Sequence, residues 1–415
     1  MSADSYWGGE ELQEVKQQWL HQGNELAFYG NFEGALLSYD QAIELDPTDV
    51  LPYHSRGVVL GKLGRYEEAL ASFDQVLARD PERSVDYYDK GLALESLGRY
   101  EEAIAAYEAV LRLDPKSILA LVNIGLALVH LQRCEEAIVR YDQALLLSPT
   151  DAEIHYLKGF ALGELGRYEE AIAMYERVHT FKTEHVYSYT YHGVALVLLD
   201  RCEEAIALYD HALALLSAPD VAIYQCKGVA LSRLGRHEEA LANFVVVTEM
   251  LPDDPFGYVS MGEELASLGR YEDAIAAFLR SLAYERNDEN IYYTYYNMGE
   301  ALVKLGRYED AIMMYENVLE SNPENADMYY NKGLTLARLQ RYEEAVAMYE
   351  KAVEIRPDDA DAYFNKGCAL ASLGLYEEAI NAYDRVLCLN PGTKDAYYAK
   401  GEALLKLYPY IPPLE

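Results

Sequence analysis

A glycine returns along this 415-residue chain at Gly23, Gly57, Gly91, Gly125, Gly159, Gly193, Gly228, Gly262, Gly299, Gly333, Gly367 and Gly401. The spacing is 34 residues throughout, apart from 35 between Gly193 and Gly228 and 37 between Gly262 and Gly299. Twelve residues after each of the first eleven stands an alanine, as at Ala69 and Ala103, and sixteen after stands an aromatic, as at Phe73 and Tyr107. A fixed period of this length means one supersecondary unit copied many times, each copy burying the face that its neighbour leaves open. A length that would ordinarily give two or three globular domains therefore reads as one array.

The apolar residues inside a unit recur at helical spacing, as in Tyr87 to Glu95 and in Ile104 to Leu111, so each unit predicts two short helices. Small residues such as Gly91 and Ala103 let the pair approach closely, and Tyr107 fills the space between them. The most regular text is Leu63-Gly64-Arg65-Tyr66-Glu67-Glu68-Ala69, repeated at Leu97 to Ala103 and Leu165 to Ala171 and in drifted form elsewhere. It predicts a helix stop followed by a helix start: Gly98 supplies the left-handed residue, and Glu101-Glu102 put negative charge at the positive end of the next helix.

This pattern resembles the tetratricopeptide repeat. Counting each unit from seven residues before its glycine gives eleven full repeats over 16–393 and a half repeat over 394–407 that serves as a capping helix. A lead-in or cap covers 1–15 and a proline-containing tail covers 408–415. The resemblance implies an all-α fold, an α-solenoid: a right-handed superhelix of helix-turn-helix repeats with a concave groove lined mainly by the first helix of each unit. Near-consensus repeats of this kind are similar to bacterial arrays. Three junctions depart from the period, Val178 to Thr183, Leu216 to Asp220 and Tyr284 to Asn290, and are where a change of pitch or an exposed loop is expected.

Composition narrows the partner. With 35 Lys plus Arg against 69 Asp plus Glu the formal net charge is -34, which repels phosphate backbones and anionic lipid. Neither nucleic acid nor direct membrane insertion is expected, and no stretch is apolar for the eighteen or more residues that a spanning helix needs. The beginning, Met1 to Trp7, lacks a basic-then-apolar leader, and the five cysteines form no Cys-x-x-Cys pair, so a reducing, cytoplasmic setting is expected.

Catalytic patterns are missing: no His-Glu-x-x-His, no glycine-rich phosphate loop, no nucleophile elbow. The adjacent glutamates diverge on a helix and are no acid–base couple. Cys134 and Cys202 replace the motif tyrosine as small half-buried core residues, and His237 replaces it as a core or rim residue. No catalytic residue, metal or cofactor is expected.

In the family the resemblance points to, partner contacts come chiefly from the second, fifth, ninth, twelfth and thirteenth positions. Carried onto this chain, the fifth position gives Tyr88, Val122, Tyr156, Tyr296, Tyr330, Phe364 and Tyr398, and the ninth gives Val58, Leu92, Leu126, Phe160 and Val194. Asn297, Asn331 and Asn365 stand beside the tyrosines at the sixth. No repeat carries lysine at the fifth position, since lysines fall at the seventh (Lys90, Lys158, Lys332), so the family's clamp for acidic C-terminal tails is not expected. The expected function is a non-enzymatic protein–protein scaffold or adaptor whose groove binds a peptide or helical segment. The alternative is an assembly factor or co-chaperone for a larger membrane or photosynthetic complex. Self-association through the end repeats or the tail is a further expectation.

Overall fold

The structure, a computed structural model, describes residues 9–181 and 185–408. Among these residues are 23 α-helices and no strand. They fall into two compact units, Met1–Leu215 and Leu216–Glu415. The first runs from α1 (Gly9–Phe28) to α12 (Cys202–Leu215) and the second from α13 (Val221–Arg233) to α23 (Lys394–Leu407). Their boundary falls at the start of the junction Leu216 to Asp220, where the period gains one residue. Each unit is a stack of helical hairpins, an α-solenoid in which odd-numbered helices open the repeats and even-numbered helices close them.

The hairpin closes on the period glycine. A Cβ placed on Gly91 would lie 2.4 Å from Cε1 of Tyr107, closer than atoms can sit, and Tyr107 is fully buried. The same contact joins Gly57 to Phe73 and Gly159 to Tyr175. Between the two helices the recurrent motif forms a Schellman turn: at the end of α3 (Val50–Lys62), Arg65 N–H donates to Leu60 C=O at 2.9 Å and Gly64 N–H to Gly61 C=O at 3.0 Å. Gly64 has φ +73°, and in the drifted copies Gln132, Asp200 and Gln340 hold φ of 58°, 61° and 60° in its place.

At the start of α4 (Tyr66–Arg79) the capping residue Arg65 makes no side-chain cap. Its guanidinium instead grips Glu68 through two hydrogen bonds of 2.6 and 2.7 Å. The same fork recurs in Arg99–Glu102, Arg167–Glu170 and Arg341–Glu344. Hydrogen bonding from the arginine holds the Glu68 and Glu102 carboxyls below their ordinary range. The second glutamate of the motif thus works as half of a surface lock as well as a charge at the helix dipole.

Consecutive repeats are tied by the seventh-position lysines. Lys90 reaches Asp74 at 2.6 Å, Lys158 reaches Asp142 at 2.6 Å and Lys332 reaches Glu316 at 2.7 Å, each acid lying on the second helix of the preceding repeat. Cys134 and Cys202 are fully buried rather than half-buried, and burial pushes the Cys134 thiol up.

The eighth repeat's three extra residues build helix rather than an exposed loop. Glu285 accepts from the backbone N–H of Arg286 and Asn287, both at 2.8 Å, and Asn287 caps a helix α17 (Asp288–Lys304) of 17 residues against 13 in α15 (Pro255–Ser267). At the fifth junction α10 (Tyr168–Thr180) ends at Phe181, and Lys182 and Thr183 lie outside the described residues. So do 1–8 of the lead-in and 409–415 of the tail. Among the described residues no helix is long and apolar enough to cross a membrane.

The joint and the ring contact give opposite predictions. Replacing Gln340 by glycine removes left-handed strain and should stabilise its hairpin by about 1 kcal/mol. Gly91→Ala forces Tyr107 out of place and should cost about 1–3 kcal/mol. Amide exchange rates over 326–355 and 84–113 report each locally, and slower exchange in the first variant with faster exchange in the second is the expected result.

Candidate peptide-binding groove

The first helices of successive repeats touch one another within each unit: α3 with α5 (Ser84–Ser96), α9 (Ala152–Glu164) with α11 (Val186–Leu198), α15 with α17, and α21 (Ala360–Ser372) with α23. An open cleft lies between each of these pairs, of 320, 320, 480 and 480 Å³ in that order. The same repeat positions line all four. The leading helix gives its ninth, twelfth and thirteenth residues, the following helix its sixth, ninth and thirteenth, and the floor is the motif tyrosine with the buried aromatic beyond it. In the α3–α5 cleft these are Val58, Gly61 and Lys62, then Asp89, Leu92 and Ser96, over Tyr66 and Phe73.

Each expected site residue can be placed. Val58 and Leu92 share the α3–α5 cleft, Phe160 and Val194 share the α9–α11 cleft, and Asn297 lines the α15–α17 cleft. Tyr88, Val122, Leu126 and Tyr156 are half-buried against the core of the first unit, and Tyr296, Tyr330 and Phe364 against cores of the second. Their rings reach the buried aromatics below, as where Tyr88 meets Tyr107 at 5.6 Å and Phe364 meets Tyr383 at 5.9 Å. Asn365 spends its amide hydrogens on Tyr330 Oη at 3.1 Å and the Asp361 carbonyl at 2.9 Å, which ties one repeat to the previous one. Asn331 is half-buried, and Tyr398 stands 71% exposed on α23. The sequence reading passed over the motif tyrosines Tyr66, Tyr168, Tyr271 and Tyr376, which floor the clefts, although the recurrence of tyrosine at the seventeenth position of most units was the available signal.

The cleft between α15 and α17 is carboxylate-lined. Burial raises the Glu263 carboxyl, which accepts from the Tyr293 hydroxyl and, at 3.4 Å, from Asn297 Nδ2, while Glu300 accepts from the Tyr315 hydroxyl at 2.9 Å. Glu264 is 3% exposed at a position where most other repeats carry alanine, and its Oε2 lies 2.8 Å from Nδ1 of His237. Two departures from the repeat therefore answer each other: the histidine that replaces the motif tyrosine in one repeat meets the glutamate that replaces alanine in the next. Among the described residues no group of three His, Cys, Asp or Glu side chains could hold a metal ion.

The joint between α10 and α11 is built from stacked rings. His179 lies 3.9 Å from Tyr189 at 8° and 5.4 Å from His192, whose other neighbour is Tyr175 at 6.1 Å. Burial, reinforced by the neighbouring imidazoles, pushes both His179 and His192 down to about 4 from an ordinary 6.5.

Comparison with known proteins settles what the period is. Models of the tetratricopeptide repeat match residues 54–118, 296–360, 94–159, 152–180, 257–288 and 360–392, and a TPR repeat model matches 23–64. The chain belongs to the tetratricopeptide repeat family. No curated protein matches it in sequence. The C-terminal part of a TPR repeat-containing protein from Cytophaga hutchinsonii has a TM-score of 0.52 at 18% identity, covering 59% of this chain and 98% of that one. A tetratricopeptide repeat protein from Parabacteroides merdae has a TM-score of 0.49 at 16% identity, covering 61% and 99%. YrrB, described as a TPR protein with an unusual peptide-binding site, has a TM-score of 0.39 at 25% identity, covering 45% and 96%. The first of these likenesses is one of fold. Membership in the tetratricopeptide repeat family supports a protein–protein interaction scaffold.

Two tests follow from the geometry of this tetratricopeptide array. His237→Ala leaves Glu264 buried without its partner and should cost about 2 kcal/mol, whereas His237→Tyr with Glu264→Ala restores the common pair and most of the loss, as read by amide exchange in 221–267. For the stacked joint, the unfolded chain binds protons more readily than the folded one between about 6.5 and about 4. Stability contributed there is complete above the upper value and is lost as pH falls through the window. Amide protection over 168–181 and 185–198, corrected for the intrinsic exchange rate at each pH, should fall from pH 7 to pH 4.5, and His192→Phe should flatten that dependence.

Proposed function

We propose that this protein is a non-enzymatic scaffold whose first-helix face binds a peptide or helical segment of a partner protein, seating successive side chains of that segment in the clefts between adjacent repeats. The recurrence of one cleft geometry at α3–α5, α9–α11, α15–α17 and α21–α23 carries this reading. Packing alone needs the buried aromatic and the glycine; it does not need an open cleft walled by half-buried and exposed apolar side chains such as Val58, Leu92 and Phe160. Continuous accessible apolar surface of that sort marks interfaces. The wall chemistry then differs from cleft to cleft, with mostly apolar walls between α9 and α11 and carboxylates with an asparagine between α15 and α17. Selectivity in this reading lies in the order of cleft chemistries, each contributing modestly, as small apolar pockets do.

The test is affinity purification from the native host with three rim substitutions, Val58→Glu, Leu92→Glu and Phe160→Glu, combined in one chain. Recovery of the principal partners should fall by about tenfold or more, the equivalent of a lost contact of 1.4 kcal/mol. A control carrying Leu37→Glu and Val139→Glu, both exposed on second helices, should recover partners as the unaltered chain does. Equal recovery by the rim variant and the control sinks the proposal.

A further inference from the structure

The period glycine of α23 differs from all the others. From Gly23 to Gly367, a Cβ on any of them would stand 2.4–2.7 Å from the aromatic ring of its own repeat, whereas one on Gly401 would meet nothing within 4 Å among the described residues. The leucine three residues on departs in the same way. From Leu60 to Leu370 the equivalent leucines of repeats two to eleven are at most 4% exposed, and Leu404 is 39% exposed. Tyr397 and Tyr408, both exposed, share that face of α23 with Gly401 and Leu404 by their helical spacing. At the end of the helix Tyr408 N–H donates to Leu404 C=O with φ −121° and ψ 72°, and Pro409 follows. Asp80 ends α4 in the same manner, with φ −138°, ψ 88° and Pro81 next, and there the chain turns back to lay α5 against α4.

We infer that residues 409–415 fold back along α23 and set the Tyr410 ring on Gly401, in the place that the second helix's aromatic takes in the full repeats. The inference stands independently of the groove reading. Reach allows it: Gly401 lies six residues before Leu407, roughly 9 Å back along the helix, and the three residues from Leu407 to Tyr410 span up to about 10 Å when extended. Prolines at 409, 412 and 413 oppose a second helix and favour an extended segment. Pro409 and the ring then cover Leu404, and Ile411 continues toward Tyr397. A hydroxyl is dispensable at this contact, since Phe73, Phe244 and Phe278 make it in three repeats. The α21–α23 cleft is the other surface within reach, but Glu402 and Lys406 line it, and an apolar segment would take both charges out of water. The short tether favours the chain's own tail over that of a second copy, because it holds the ring at a high effective concentration beside its seat.

The test is amide exchange by mass spectrometry on the full chain, read over 394–407 with 50–62 as an internal reference for the rest of the array. Tyr410→Ala should reduce protection over 394–407 by about tenfold and leave the reference unchanged, and Tyr410→Phe should retain the protection. Gly401→Ala supplies a sign. On an uncovered helix face this change slows exchange by about threefold, as alanine for glycine does in helix interiors. Under a docked ring the new Cβ strikes it, so exchange over 394–407 should quicken instead. In the Tyr410→Ala background the same substitution should again slow exchange. All these readings should be unchanged on dilution. Full protection in Tyr410→Ala, equal loss in Tyr410→Phe, or slower exchange in Gly401→Ala alone overturns the inference. Protection that falls on dilution overturns it too, by seating a second copy's tail on Gly401.

Discussion

The contact between an aromatic ring and the glycine sixteen residues before it sets the geometry of this protein. The ring must lie flat on the backbone of the first helix, because a Cβ would stand 2.4–2.7 Å from it in Gly91, Gly125, Gly159 and Gly193. That fixes how near the two helices of a repeat come and leaves the alanine twelve residues on as the side chain small enough to sit beside them, which is why Ala69, Ala103 and Ala137 are all fully buried.

The turn between the helices serves two purposes. Its glycine and arginine end one helix and start the next, through the Schellman bonds and the fork to glutamate. Its tyrosine, on the first turn of the second helix, faces the other way and floors the cleft shared with the following repeat. The stretch that holds the hairpin together therefore also presents an aromatic surface to the clefts, so the most uniform residues line them together with the variable ones.

The helices, their pairing and the left-handed glycines were legible in the sequence because each rests on local rules: helical periodicity, a residue free to take positive φ, charge at a helix start. The double role of Tyr66 or Tyr168 was not, since nothing in the spacing tells which side of a hairpin the next repeat will approach. Nothing in the spacing sets Glu264 apart from the many other acids of the chain. It is buried, and its meaning depends on His237, 27 residues earlier, so that two apparent irregularities cancel only in three dimensions. The three residues added before Ile291 read as loop because insertions usually are, yet Glu285 and Asn287 supply the caps that let α17 begin a turn early. Local signals named the elements; contacts between repeats decide which positions line the clefts.

The ninth position shows how these two demands meet. Directly above it lies the hydroxyl of the core tyrosine, which needs a partner once buried, at a net worth of about 1–3 kcal/mol. Asn24, Glu300 and Cys368 at this position accept from Tyr39, Tyr315 and Tyr383 and so serve the core. Where the position is apolar the hydroxyl turns elsewhere or goes without: Tyr107, with Leu92 at that position, donates to Glu95 at 2.8 Å, whereas the fully buried hydroxyl of Tyr141, with Leu126 there, has no partner among the described residues. Phe73, Phe244 and Phe278 avoid the question by lacking the hydroxyl. A polar ninth residue is thus weak evidence for a polar ligand, because the core already claims it. An apolar ninth residue above a tyrosine, as Leu92 above Tyr107, is free of that duty, because Glu95 at the twelfth position takes the hydroxyl instead.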